Sequence, residues 1–128
     1  MRGVGARIGN RAKMEETCIF CRIVKGSIHA RIAFEDDETL AFHDVDPRAP
    51  VHILIVPRKH IPAIDALQPE DAGVIGQMFV NARNIARECG VADSGYRLVI
   101  NNGADAGQSV DHIHLHLLGG RPLRWPPG

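Results

Sequence analysis

The sequence predicts a single α+β domain: an antiparallel β-meander of about five short strands with one long helix and one or two short ones. Three observations lead there. The chain has 128 residues, 45% of them hydrophobic, enough to close one core without disulfides. Short β-branched runs recur at close spacing with turn residues between them. One stretch, residues 69–89, changes to helical periodicity.

Residues 1–15 read as a flexible basic tail. Arg2, Arg7, Arg11 and Lys13 precede the first acid, Glu15, glycines interrupt the stretch, and no apolar core of a secretory signal is present. The domain then spans 16–128. A short helical turn covers 18–24. Residues 32–35 and 39–44 flank the polar pair Asp36-Asp37, the pattern of a tight antiparallel hairpin. A third strand, 52–57, is β-branched and ends at Pro57. In the helix, Ile75, Met78, Phe79, Ala82, Ile85 and Ala86 form an apolar stripe at spacings of three and four. Pro69 suits its first turn and Gly90 its stop. Cys89, at its end, reads as a plain buried residue. Strands 96–101 and 112–118 follow, joined by the glycine-containing loop 102–109. Residues 121–128 hold three of the eight prolines and the only tryptophan, and should be extended.

Fifteen basic residues balance fifteen acidic ones, so net charge gives no reason to expect nucleic-acid or anionic-membrane binding. No apolar run approaches the roughly 20 residues of a membrane span. Three cysteines, an odd number without a secretory signal, argue against a disulfide framework and for the reducing cytoplasm.

Chemistry concentrates at the last strand. Alternate side chains of a strand share a face, so His112, His114 and His116 point one way and Ile113, Leu115 and Leu117 point into the core. A lone histidine there would read as a half-exposed polar residue. Three in alternation, from seven in the chain, argue for a functional groove. A neutral imidazole is a good nucleophile near neutral pH and, once phosphorylated, a good leaving group. Neighbouring imidazoles can bind phosphate oxygens or move protons. Metal binding is the competing use, but a third histidine at the far end of the row would reach a shared ion with difficulty. The preceding loop adds Gly107, Gln108, Ser109 and Val110, whose backbone N–H groups and polar side chains could grip anionic oxygens.

These residues carry a family resemblance. Asn101-Asn102-Gly103, Gly107-Gln108-Ser109-Val110 and the run His112-Ile113-His114-Leu115-His116-Leu117-Leu118-Gly119-Gly120-Arg121 resemble the histidine-triad (HIT) family. The ending Trp125-Pro126-Pro127-Gly128 looks like its Hint branch, the purine nucleoside phosphoramidases. Cys18-Ile19-Phe20-Cys21, Phe34-Glu35-Asp36, Phe42-His43-Asp44, Pro47 to Pro50 and Pro57-Arg58-Lys59-His60 extend the similarity upstream.

The resemblance implies a nucleotide-binding hydrolase that cleaves the P–N or a related bond of AMP or GMP conjugates, such as nucleoside 5′-phosphoramidates. His114 would be the nucleophile and form a nucleotidyl-histidine that water then hydrolyses. Ser109 would help protonate the leaving group, and His116 and His52 would position phosphate oxygens and the attacked centre. Asn101, Gly107, Gln108 and the Val110 backbone would hold phosphate and ribose. Asp44 would accept both ribose hydroxyls, and Phe20, Ile23, Ile28, Phe42, His43 and Val45 would line the base pocket. For Phe20, Ile23 and Ile28, core packing is nearly as good an account.

Two departures stand out. Family members often carry an aromatic residue where this chain has Asp111, on the face opposite the histidines. The pair Cys18-x-x-Cys21 is absent from animal members of the branch. In relatives that share it, the histidine after the proline-basic turn and the first triad histidine complete a structural zinc site, here His60 and His112. No organic cofactor is expected. Family members form two-fold homodimers with a sheet continuous across the interface, and the tail bearing Trp125 reaches toward the partner's site. Two rival activities remain: a dinucleoside polyphosphate hydrolase or nucleotidyl transferase of the same superfamily, and a non-catalytic nucleotide-binding or scaffold dimer.

Overall fold

Asp36 turns the first hairpin by capping it. Its Oδ1 accepts hydrogen bonds from the backbone N–H groups of Glu38 (3.1 Å) and Thr39 (2.7 Å) and from the Thr39 hydroxyl (2.8 Å). Such a short acceptor bonding to nearby backbone is why aspartate favours turns over regular structure. In the computed structural model, which describes residues 15–128, this turn joins β1 (Ile32–Glu35) to β2 (Thr39–His43). The sheet continues with β3 (Val51–Pro57), β4 (Tyr96–Val99) and β5 (Leu115–Gly119), every pairing antiparallel. The basic tail expected at 1–15 lies, except for Glu15, outside the described residues.

The strand order is β1-β2-β3-β5-β4. The expected antiparallel sheet is present, and its last two strands lie out of chain order. A long helix, α2 (Ala72–Glu88), carries the chain from β3 past the place β5 will fill, so β4 takes the edge and β5 the interior. β5, which carries His116, is thereby flanked on both sides by hydrogen-bonded strands, which fixes its register.

The two faces of the sheet do different things. One packs on α2, with Ala41, Ile53, Ile55, Leu115 and Leu117 meeting Met78, Ala82, Ile85 and Ala86. Burying the larger of these, Ile53, Ile55, Leu115, Leu117, Met78 and Ile85, stabilises by roughly 1.5–3 kcal/mol each relative to exposure. The other face packs Leu40, Phe42, Leu54 and Val56 against Phe20 of the short helix α1 (Ile19–Val24). His52, Leu54 and His116 share this second face, since Leu54 pairs with His116 in the β3–β5 ladder. No helix among the described residues is long and apolar enough to cross a membrane.

Three details depart from the sequence pattern. Phe79, placed in the helix stripe, is 42% exposed. The buried arc of α2 centres on Met78 and Ile85 and includes Asn81, which puts Phe79 about 100° off its middle. Asn81 is admitted because its amide is satisfied: Nδ2 donates to Asp36 Oδ2 (2.9 Å) and Thr39 Oγ1 (2.9 Å), and Oδ1 accepts from Gln77 (2.8 Å). Cys89 is exposed, not buried, because it caps the helix beyond the last turn that the sheet covers. The last strand begins at Leu115, not at residue 112. His112 and His114 precede it, where Ile113 N–H donates to the Ile61 carbonyl (2.7 Å) and holds this segment against the loop after β3.

At the far end of β5 the chain must turn tightly. Gly120 has φ +91° and a Cβ there would lie 2.9 Å from the Pro50 side chain, so this position requires glycine twice over. The turn delivers Arg121, whose Nε (3.1 Å) and Nη2 (2.8 Å) both donate to the Arg48 carbonyl.

Candidate active site and cysteine–histidine cluster

Side-chain directions around the histidine row follow from fixed acceptors, and these decide the tautomers. His114 Nδ1 lies 2.7 Å from the His112 carbonyl, which can only accept. Nδ1 therefore carries the proton, and in the neutral ring Nε2 keeps its lone pair. His112 Nε2 lies 2.8 Å from the Pro57 carbonyl, so its lone pair is on Nδ1. His52 Nδ1 accepts the Arg48 backbone N–H at 3.0 Å, so its proton is on Nε2. From there it donates to His116 Nδ1 at 2.9 Å, with Asp44 Oδ2 3.4 Å away from the same nitrogen. The proton of neutral His116 then sits on its own Nε2. Each ring is set by the group behind it.

Burial disfavours the charged form of three of these imidazoles, His52, His112 and His116. It depresses the proton affinity of His116 to about 4, helped by repulsion from His114 and His52 and opposed by Asp44. Burial lowers His52 as well, with the nearby Asp44 carboxylate pulling the other way. His112, fully enclosed, is also pushed down to about 4 by burial, against the Pro57 hydrogen bond. Neutral imidazoles at these three positions act as hydrogen-bond donors and acceptors, not as a cationic patch.

A cavity of about 310 Å³ opens in front of His114 and His116. Phe20, Ile23, Ile28, Phe42, His43, Asp44, Val45, Ser109 and Val110 line it, each named from sequence. Val45 stands at its mouth, 99% exposed. Ile19, His29, Ala30 and Leu54 also line it and carried no signal in the sequence; Leu54 was hidden because it reads as an ordinary core strand residue. His52 lies behind the wall, reaching the cavity through His116. Asn101, Gly107 and Gln108 are not among the lining residues. Gln108 instead ties the loop: Nε2 donates to the carbonyls of Pro62 (2.8 Å) and Val110 (3.0 Å), and Oε1 accepts from Gly103 N–H (2.9 Å).

The other end of the row meets sulfur. Cys18 caps α1, its Sγ accepting from Cys21 N–H at 3.4 Å. His112 Nδ1 lies 3.4 Å from Cys18 Sγ and 3.5 Å from Cys21 Sγ, and His60 Nδ1 lies 3.1 Å from Cys21 Sγ. The four ligand atoms fall within 4.8 Å of one another. Burial, with the Cys18 thiol beside it, pushes the Cys21 thiol up to about 12. Phe20 stands between the two ends, its ring edge-to-face with His114 (5.1 Å), His112 (5.9 Å) and Phe42 (5.4 Å). His114 and His116 rings approach to 4.9 Å, closer than the ~7 Å that strand spacing alone gives.

Comparison with known proteins agrees with this geometry. The HIT domain model matches residues 25–123. An uncharacterized HIT-like protein of Synechocystis sp. is 50% identical over 115 residues, 90% of this chain and 100% of that protein. A HIT family hydrolase from Legionella pneumophila superposes with a TM-score of 0.86 at 46% identity, covering 88% of this chain and 100% of that one. A histidine triad protein from Clostridium difficile gives 0.81 at 40% identity, covering 84% and 93%. With this match across most of its length, the chain belongs to the HIT domain family.

Proposed function

We propose that this chain is a nucleotide hydrolase that cleaves nucleoside 5′-monophosphate conjugates, P–N linked ones foremost, as a phosphoramidase of the Hint type. The observation that carries the reading is the His114 tautomer: Nδ1 is committed to the His112 carbonyl, and Nε2 is left as a lone pair on a residue lining the cavity. The purine would lie among Phe20, Ile23, Ile28, Phe42 and Leu54, with the ribose hydroxyls on Asp44. Asp44 Oδ1 holds Asp46 N–H at 2.8 Å and Oδ2 lies 3.4 Å from His52 Nε2, and the remaining lone pairs of the carboxylate would accept the diol.

His114 Nε2 attacks phosphorus and forms a P–N bond to itself as the bond to the leaving amine breaks. That amine departs with a proton relayed through Ser109 or water. Water then attacks the nucleotidyl-histidine, giving up a proton, and releases the nucleoside monophosphate and neutral His114. His116 Nε2–H donates to a phosphate oxygen, and His52 fixes the direction of that donor through the 2.9 Å bond between the rings.

Cys18, Cys21, His60 and His112 make a closed donor set that fits zinc. Tetrahedral Zn–S and Zn–N bonds of about 2.3 and 2.0–2.1 Å put neighbouring donors roughly 3.5 Å apart, and the sulfur–nitrogen distances here are 3.1 to 3.5 Å. Bound there, zinc supplies a cross-link between α1, the loop after β3 and the segment before β5, and no chemistry on the substrate. Three cysteines without a disulfide suit the reducing cytoplasm. The edge position of β4 and the exposed Phe79 and Val80 on α2 support a homodimer with a continued sheet and Trp125 offered to the partner's site.

The test is a substrate panel of adenosine 5′-phosphoramidate, guanosine 5′-phosphoramidate and diadenosine polyphosphate, run on the wild type and on His114→Ala. Turnover of the phosphoramidates should fall by about 10³-fold or more in the variant; equal rates in both proteins would sink the mechanism. Incubation of His116→Gln with substrate should leave a nucleotidyl mass on His114. Its failure to appear, with binding intact, would favour a scaffold that merely holds nucleotide.

A further inference from the structure

A second cavity, about 360 Å³, adjoins the first. It is lined by Thr17, Cys18, Ile19, His60, Ser109, Val110 and Asp111, and three of these, Ile19, Ser109 and Val110, also line the nucleotide cavity. The Ser109-Val110 segment is thus a shared wall. In a conjugate whose nucleoside half fills the first cavity, a group beyond Ser109 would enter the second.

Asp111 was the residue without a role. By alternation it faces away from the histidines, but β5 begins only at Leu115, so strand alternation does not govern position 111. It lines the second cavity, where it is the only acidic residue of the lining. It makes no ion pair among the described residues. Two thiolates, two imidazoles and a zinc ion sum to no net charge, so the neighbouring cluster would not cancel it. Ile19, 47% exposed, supplies an apolar side to the same space.

We propose that this cavity is the leaving-group subsite and that Asp111 makes it selective for leaving groups with an apolar stem ending in a cationic amine. The inference rests on the hydrolase reading above and names the half of the substrate which that reading leaves open. Exposed charge pairs are individually weak. Attraction of a cation and repulsion of an anion add, and together correspond to about a tenfold preference between the two.

Three probes differ only at the distal end: AMP joined through a P–N bond to 1,5-diaminopentane, to pentylamine and to 6-aminohexanoate. For the wild-type protein, kcat/KM should fall in the order ammonium, methyl, carboxylate, with about a tenfold span that shrinks in high salt. In Asp111→Asn the span should collapse toward unity, and in Asp111→Lys the order should invert. Each variant is its own reference, so an altered overall rate does not obscure the ratio. Turnover of all three at equal rates in the wild type, or a span unchanged in Asp111→Asn, overturns the subsite and leaves the hydrolase reading standing. Turnover of none of them overturns both.

Discussion

The two ends of the histidine row place the same side chain in opposite employment. His112 and His116 both have an ordinary imidazole pushed down to about 4 by burial, and both belong to a compact set of potential ligands. What differs is the partner of each ring. His112 spends Nε2 on the Pro57 carbonyl and aims Nδ1 at two sulfurs, so neither nitrogen is left for a substrate. His116 takes the His52 proton on Nδ1 and keeps Nε2 toward a cavity. Residue type alone does not assign the task; the fixed acceptor or donor behind the ring does.

The sharpest way to break this comparison is to remove each ring in turn. His116→Gln should lower kcat by about 10²-fold or more with thermal stability nearly unchanged. His112→Gln should do the reverse first: a lost cross-link, zinc content below one per chain, and a Tm lower by roughly 10 °C. Calorimetry and metal analysis beside steady-state rates check both. If His112→Gln lost activity while keeping its metal and its Tm, the division of labour would be wrong. Cys21→Ser should track His112→Gln in metal content. Because burial holds that thiol up to about 12, zinc binding to the metal-free protein should release protons into the buffer.

Acid sharpens the comparison further. A histidine whose folded proton affinity is depressed makes the unfolded chain the better proton binder as pH falls. Its stabilising contribution is whole above about 6.5 and is lost progressively on the way to about 4. Denaturation midpoints of the metal-free protein should therefore drop across that window. Loaded with zinc, the two thiolates and His112 bind no proton until the metal leaves, so the unfolded chain outbinds the folded one by more protons and the drop should be steeper. Identical profiles with and without metal would refute the assignment of His112 to the cluster.

A smaller effect probes the support behind His52. Arg121 grips the Arg48 carbonyl with two nitrogens, and Arg48 N–H in turn holds His52 Nδ1. Arg121→Ala should lower kcat about fivefold, the loss of a hydrogen bond to a charged donor transmitted through one residue, and leave zinc content as it was. Loss of zinc in this variant would mean that the two ends are not independent.

Much of this was legible in the residues. The hairpin at Asp36, the helix read over 69–89 and found over 72–88 behind a separate turn at Pro69–Asp71, and the apolar alternation of Ile113, Leu115 and Leu117 are local patterns, and local sterics and burial enforce them. Most of the cavity lining followed from the family likeness, with Ile19, His29, Ala30 and Leu54 the exceptions. Asn101, Gly107 and Gln108 are not in that lining, and the Gln108 amide is engaged by carbonyls within its own loop and at Pro62. Phe79 was misplaced because periodicity counts hydrophobicity, while Asn81 was buried by bonds to Asp36 and Thr39 that are 45 and 42 residues away in sequence.

The sequence by itself determined which residues could do chemistry: a run of imidazoles, two thiols with a helical spacing, a glycine-bounded loop. Side-chain type and near-neighbour spacing suffice for that. Only the tertiary structure decided which nitrogen of each ring is available. That choice depends on single carbonyls and N–H groups, at Pro57, His112 and Arg48, brought within about 3 Å by a sheet whose strand order no local pattern specifies.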